Sequence, residues 1–496
     1  MASGVVAAGH PLTAEAGAQA LRAGGNAVDA ALAAMLTSFV TEPLLTGLGA
    51  GGYMLVVAPG RDPVLLDFFV EASGRGADPG SRSPLIAVDV SFGDAVQVFH
   101  IGASSCGTYG TPAGICAAAE RFGTVPLAEL VAPAVRLARD GVLVNDEQAY
   151  VFEILAPIYS ATPEARELFM PDGHIPRAGD LLRDPPLADS LERLGAEGAT
   201  PFYEGDLGAQ ISDYVCARGG TLTREDLAAY RAEPRDPVHV SYRGRDVLTN
   251  PPPNAGGTLL AYALALLERG AGAPDAPALV RAMERAQAER TPEFITGLSE
   301  PGFLDRFMAT RLGSTTHISV LDGDGWACSV TCTNGEGSGI VVPDTGIHVN
   351  NMMGEQDLSP LGFFTHPPGR RLPSMMAPTV VLGTDGAPEL AVGSAGSNRI
   401  RSTLLQVIVN VIDRGMTAAE AVDAPRLHFE DGLVYAEPGI DGAPLEAAGY
   451  QMAWFRHLNL FFGGCQAVER HPETGVLDGA GDPRRGGAVV VAQMGE

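Results

Sequence analysis

The sequence predicts an α+β protein. Two observations carry this: apolar helical runs punctuated by glycine in the first half, and strand pairs around Asp-Gly turns, followed by an amphipathic helix, in the last third. Pro11 to Arg22 reads as a helix stopped at Gly24-Gly25. Asn26 then reads as the N-cap of a second, very apolar helix from Ala27 to about Phe39, with Asp29 in its first turn. An Ala-rich helix of this kind is buried on most sides.

Gly47, Gly49 and Gly52 fit the dinucleotide pattern G-x-G-x-x-G, but that fingerprint needs a strand before it and a helix after it. Here a helix precedes and a strand-like run, Tyr53 to Val57, follows, so the glycines read as sites of close backbone packing. A short buried strand is expected from Leu65 to Phe69, and helices over Pro126 to Arg139 and Glu225 to Tyr230. The Pro/Gly-rich loop at 250–257 precedes a helix over Thr258 to Glu268, and residues 269–276 read as a surface turn. Periodicity is weak from about 291 to 313, which reads as a mobile connection.

Beyond it, Thr316 to Asp322 and Trp326 to Thr331 flank Asp322-Gly323-Asp324-Gly325, a hairpin signal. A second pair, Thr379 to Gly383 and Glu389 to Val392, turns at Asp385-Gly386. It runs through Gly393 to Ser397 into a helix from about Arg399 to Asp413, with Gly415 as its stop.

At 496 residues the chain has room for two or three average domains or one large fold, and 46% hydrophobic with 19% charged residues is ordinary for a soluble globular protein. A net charge of −26 argues against a nucleic-acid binder, which needs a basic face. No apolar run approaches the ~20 residues that span a bilayer, so no membrane role is expected. The first residues, MASGVVAAGHPL, lack a basic n-region, and a cytoplasmic location is expected. The six cysteines show no C-x-x-C pair or zinc-like spacing and read as small buried hydrophobes; no disulfide framework and no metal is expected.

Chemistry enters with Thr315-Thr316-His317 at the start of the first hairpin. Were the bond between Ser314 and Thr315 cut, the new α-amine, with a reference pKa of about 7.7–8.0, would stand beside the Thr315 hydroxyl as its general base. The triplet alone proves nothing, because threonines are common at strand starts. Thr333 lies on the returning strand, where its hydroxyl would orient Thr315. Gly396 and Ser397 open a helix, where backbone N–H groups can face an oxyanion, although an ordinary helix start looks the same. Asn350, Asn351, Glu355 and Ser374 lie on loops that can reach the same sheet edge.

Ordered motifs join these pieces. His10-Pro11-Leu12, Gly24 to Ala30, Gly49 to Met54, Gly110 to Gly114, Phe202 to Gly205, Pro252 to Gly257, Thr315 to His317, Pro368 to Arg371, Gly393 to Gly396 and Ala424 to Arg426 resemble the gamma-glutamyltransferase family of N-terminal-nucleophile hydrolases along nearly the whole chain. The resemblance implies a four-layer αββα sandwich made as a precursor and cut before Thr315. The two parts would be 1–314, ending in the mobile connection near 291–314, and the catalytic part 315–496. It implies that Thr315 attacks an amide carbonyl, forms an acyl-enzyme, and passes the acyl group to water or an amine. Thr333 is then the helper threonine, and Gly396 with Ser397 the oxyanion hole, where the family usually has two glycines. No cofactor is implied, glutathione metabolism is, and a homodimer of cleaved protomers is compatible with it although composition gives that no support.

The donor pocket departs from the family. Phe69 stands where an arginine holds the donor α-carboxylate; a charge-assisted bond of that kind contributes about 1.5–3 kcal/mol. Glu355 replaces the aspartate that reads the α-amino group, Met375 replaces one of two serines while Ser374 remains, and the loop after Thr333 is shortened around Asn334. Arg399 or Arg401 would be the replacement cation. The chemistry is thus expected to be retained, with γ-glutamyl or another amide as donor. The alternatives are a cephalosporin- or glutaryl-type acylase or a carbon–carbon hydrolase of secondary metabolism, both favoured by the apolar Phe69 and Met375, and, more remotely, an unprocessed binding protein.

Overall fold

The computed structural model describes residues 2–91, 96–288, 298, 316–359 and 361–493. Ser314, Thr315 and, Leu298 apart, the connection expected at 291–314 lie outside the described residues.

Two antiparallel sheets face each other. The first runs in the order Ala488–Gln493, Ala2–Ala8, Thr316–Asp322, Ala327–Thr333, Gly51–Val57, Val64–Phe68 and Glu233–Arg235. The second runs Leu477–Gly481, Cys465–Arg470, Pro388–Ser394, Thr379–Leu382, Arg245–Thr249 and Val238–Tyr242. Alternation along each strand sends Val5, Ala7, Leu55 and Leu65 into one apolar cluster with Leu248, Val380, Ala391 and Val468 of the opposite sheet. The other face of the first sheet, with Val6, Val56, Ile318 and Val330, packs in one cluster with the helices Pro11–Arg22 and Ala27–Thr41. The other face of the second packs in one cluster with the helices Gly256–Glu268, Ala276–Ala288 and Arg399–Arg414. The layer order is therefore α, β, β, α.

Local signals account for many of these elements. The Asn26 side chain accepts the Val28 and Asp29 N–H groups at 2.8 and 3.1 Å, and the Asp29 carboxylate accepts the Asn26 N–H at 2.9 Å. This reciprocal cap starts a helix that runs to Thr41, two residues past the expected end, buried on every side. A Cβ on Gly49 would lie 2.4 Å from the His348 carbonyl oxygen, so that glycine does serve close packing. The expected helix over Pro126 to Arg139 is instead two, Leu127–Leu130 and Ala132–Asp140. Pro133 has no N–H to continue the first and sits in the opening turn of the second. Cys328 and Cys332 share the helix-facing side of their strand, and no cysteine among the described residues is disulfide-bonded. No helix among the described residues is long and apolar enough to cross a membrane.

His317 does not belong to a reaction centre. Its Nδ1 is 2.9 Å from the Thr331 hydroxyl and its Nε2 2.8 Å from that of Ser319, in a polar belt between the sheets. Burial lowers its pKa to about 3, so the imidazole is neutral.

Candidate active site

A cavity of about 90 Å³ opens where the inner strands of the two sheets end. The first sheet brings Thr316, at the start of one strand, and Thr333, at the end of its neighbour. Phe69, just past Val64–Phe68, adds a third side, and Gly396 with Ser397 a fourth. Thr315 lies outside the described residues; Thr316, which follows it, pairs with Cys332, next to Thr333. The Thr316 hydroxyl donates to the Glu42 carboxyl at 3.4 Å. The Thr333 oxygen accepts the Gly335 N–H at 2.8 Å, which leaves its proton to be donated into the cavity.

Gly396 and Ser397 both have positive φ, 113° and 52°. Their carbonyls accept the Arg399 and Ile400 N–H groups at 3.0 and 3.1 Å and so start the helix Arg399–Arg414. Neither of their own N–H groups donates to an acceptor among the described residues. Two successive amides in such a turn form an anion-binding concavity, the geometry an oxyanion needs. The Ser397 hydroxyl is turned aside and donates to Asp357.

The donor side of the cavity is mixed. Phe69 is buried and stacks on Tyr53 with ring centroids 5.4 Å apart, while its carbonyl accepts from Tyr230 and Arg371 at 2.7 and 2.8 Å. Phe99 and the Val151, Ile154 and Leu155 face of the helix Asp146–Tyr159 form an apolar wall. Against it stand two carboxyls, Glu355 and Glu336. Burial raises Glu355 well above the usual carboxylate range, and the Glu336 and Asp357 charges push it the same way. Burial raises Glu336 too, so the proton the two compete for rests on Glu355.

Two guanidinium groups also line the cavity, Arg399 and Arg485. Arg401, the other cation the sequence offers, does not; it donates to Gln287 at 3.0 Å. Five expected site residues also stay out of the lining. Asn334 bonds Leu45 and His348 through its backbone and side-chain amides. The Ser374 hydroxyl accepts the Met376 N–H at 3.1 Å, and Met375 packs with Ala255, Leu259, Ala286 and Leu298. The segment is held by the Ala255 and Gly256 N–H groups on the Ser374 carbonyl, which leaves the Met375 side chain in apolar packing. Asn350 and Asn351 hold loops, the first on Gly49 and Gly107, the second on the Glu336 N–H. Sequence reasoning missed Glu336, Arg485 and the apolar wall. The first had one signal, a lone carboxylate between Gly335 and Gly337 in the loop after Thr333.

Paired sheets between helical layers, with a threonine strand end and a free amide pair converging on one cavity, define an enzyme of the N-terminal-nucleophile hydrolase class. The chain belongs to the gamma-glutamyltranspeptidase family, whose pattern matches residues 13–300 and 303–492. It is 33% identical to the glutathione hydrolase proenzyme of Escherichia coli, over 97% of this chain and 90% of that one. It is also 33% identical to the acylase ACY 1 proenzyme of a Pseudomonas species, over 99% and 94%. The cephalosporin acylase of Bacillus halodurans has the same fold, with a TM-score of 0.85 at 28% identity, covering 99% of this chain and 96% of that one.

Proposed function

We propose that the chain cuts itself between Ser314 and Thr315, and that Thr315 then cleaves small-molecule amides as an amidohydrolase and acyltransferase. The new α-amine takes the Thr315 hydroxyl proton as the oxygen attacks the donor carbonyl. The Gly396 and Ser397 N–H groups receive the oxyanion, and the Thr333 hydroxyl donates a hydrogen bond to the Thr315 oxygen. The ammonium returns its proton to the leaving amine, giving an ester on Thr315, which water or an acceptor amine resolves. One observation carries this reading: the two unspent amides of Gly396 and Ser397 share a cavity with Thr333 and with the residue after Thr315. That relatives at 33% identity are proenzymes supports the cut.

A γ-glutamyl amide, and with it a place in glutathione metabolism, is one donor reading. An acylase-type donor with a less polar acyl group is the second, favoured by Phe69 where the cation was expected and by the apolar wall beside it.

The test is the intact mass of the denatured protein beside Thr315→Ala. Two fragments, 1–314 and 315–496, in the parent and one uncut chain in the variant would support the nucleophile. A single chain in both would remove it.

A further inference from the structure

Four strands lie at the edges of the two sheets, and three of them are guarded against pairing with another chain. Glu233–Arg235 is short, charged and interrupted by Pro234. Val238–Tyr242 carries His239, which pairs with Asp246 at 2.8 Å on the surface. Leu477–Gly481 carries an exposed Asp478 and two glycines. The fourth edge, Ala488–Gln493, has none of these devices. Its sequence is Ala-Val-Val-Val-Ala-Gln, and no charged residue occurs from Gly486 to Gly495. Val491 is 38% exposed, and Val489 and Val490 are half-buried.

The register fixes which backbone groups of this strand are unspent. The Asp322 N–H bonds the Trp326 carbonyl at 3.0 Å, so Asp322 and Val320 turn their amides toward the strand Ala327–Thr333. Directions alternate along an antiparallel ladder. Leu321 and Ser319 therefore bond Val5 and Ala7, while Val6 and Ala8 bond Val490 and Ala488. The N–H and C=O groups of Val489 and Val491 are left pointing out of the sheet. None of them makes a hydrogen bond with a described residue.

These outward groups flank Val490 symmetrically, and Ala488 to Ala492 reads the same in both directions. A second copy laid antiparallel along this edge sets Val489 against Val491, Val490 against itself and Ala488 against Ala492. Each Val489–Val491 pair then exchanges two backbone hydrogen bonds, and β-branched side chains meet on both faces. A two-fold dimer needs a self-complementary patch of this kind. We infer that Ala488–Gln493 is the surface through which two copies of this chain associate, joining their first sheets across a two-fold axis at Val490.

The test is sedimentation velocity of the purified protein across a concentration series, beside Val491→Lys and Val491→Thr. The parent and Val491→Thr should form a reversible dimer. Val491→Lys, which brings an ammonium group from each copy to the contact, should stay monomeric with the melting temperature of the parent monomer. A parent that is monomeric throughout, or a Val491→Lys dimer, would overturn the inference. Cysteine variants read the register. Facing Cα atoms about 4.5 Å apart at Val490 lie within disulfide reach. Val490→Cys should therefore cross-link to itself under mild oxidation, and Val491→Cys, which faces Val489, should not. Equal cross-linking by both would rule out the two-fold pairing. Hydrogen exchange needs no variant, because the Val489 and Val491 amides should be protected in the dimer and exchange freely on dilution. Protection that does not change with dilution would mean that another surface joins the copies.

Discussion

Gly396 and Gly463 approach so closely that a Cβ on Gly396 would lie 2.7 Å from the Gly463 Cα. Together with φ of 113° at Gly396, this leaves no room for a side chain in the turn that presents the two amides. Gly396→Ala should therefore tilt that turn and reduce amide cleavage about a hundred- to a thousandfold, the range for losing one oxyanion donor. Ser397→Gly is the contrast. It relieves a φ of 52° and keeps the backbone N–H, so activity should stay within a few-fold of the parent. Anilide turnover by both processed variants checks the pair, and equal damage would show that the Ser397 hydroxyl, not the turn, matters.

Thr333→Val should slow both self-cleavage and turnover by one to two orders of magnitude, the effect of one lost hydrogen bond to a charged group, about 1.5–3 kcal/mol. Its oxygen already accepts the Gly335 N–H, so its proton is the part left to act, and Thr333→Ser, which keeps that proton, should retain most of the rate. A time course of fragment formation by mass reads the first effect and anilide hydrolysis the second.

What the sequence disclosed and what it hid follow physical lines. Helix caps, glycine turns and strand alternation are local, so the Asn26 cap, the hairpin carrying Thr333 and the helix start at Gly396 could all be placed from neighbours in the chain. The choice between Arg399 and Arg401 could not. Two residues are about 200° apart around a helix, and which one meets the cavity depends on how Arg399–Arg414 lies on the second sheet. Glu336, Arg485 and the Val151 face come from loops and helices far apart in the chain, joined only by packing. Ser374 and Met375 mislead for a related reason, since the Ala255 and Gly256 amides hold their segment away from the cavity lining.

Glu355 gives the fold a pH dependence. Its folded-state pKa is raised by burial and by Glu336 and Asp357, so the folded protein holds this proton more tightly than the unfolded chain. The stability it contributes is fully present below the ordinary carboxylate pKa of about 4.3 and is lost as pH rises toward the raised value. Glu355→Gln, which cannot ionise, should therefore match the parent near pH 4 and melt at progressively higher temperature than the parent from pH 5 to 8. Parallel melting curves at all pH values would mean that Glu355 is not held protonated.

Phe69→Arg tests the wall where the cation was first expected. The ring it removes is buried and stacked on Tyr53, and its backbone oxygen anchors Tyr230 and Arg371. The arginine stem would refill part of that volume, so a stability loss of about 2–4 kcal/mol is expected, less than full truncation of a core phenylalanine. The new guanidinium would enter the same cavity as Glu336 and Glu355 and give a donor carboxylate a partner. Turnover of γ-glutamyl p-nitroanilide should then rise relative to pentanoyl p-nitroanilide, which lacks the carboxylate, even as the melting temperature falls. A fall in stability with no change in that ratio would mean that the carboxylate end of the donor does not reach the Phe69 wall.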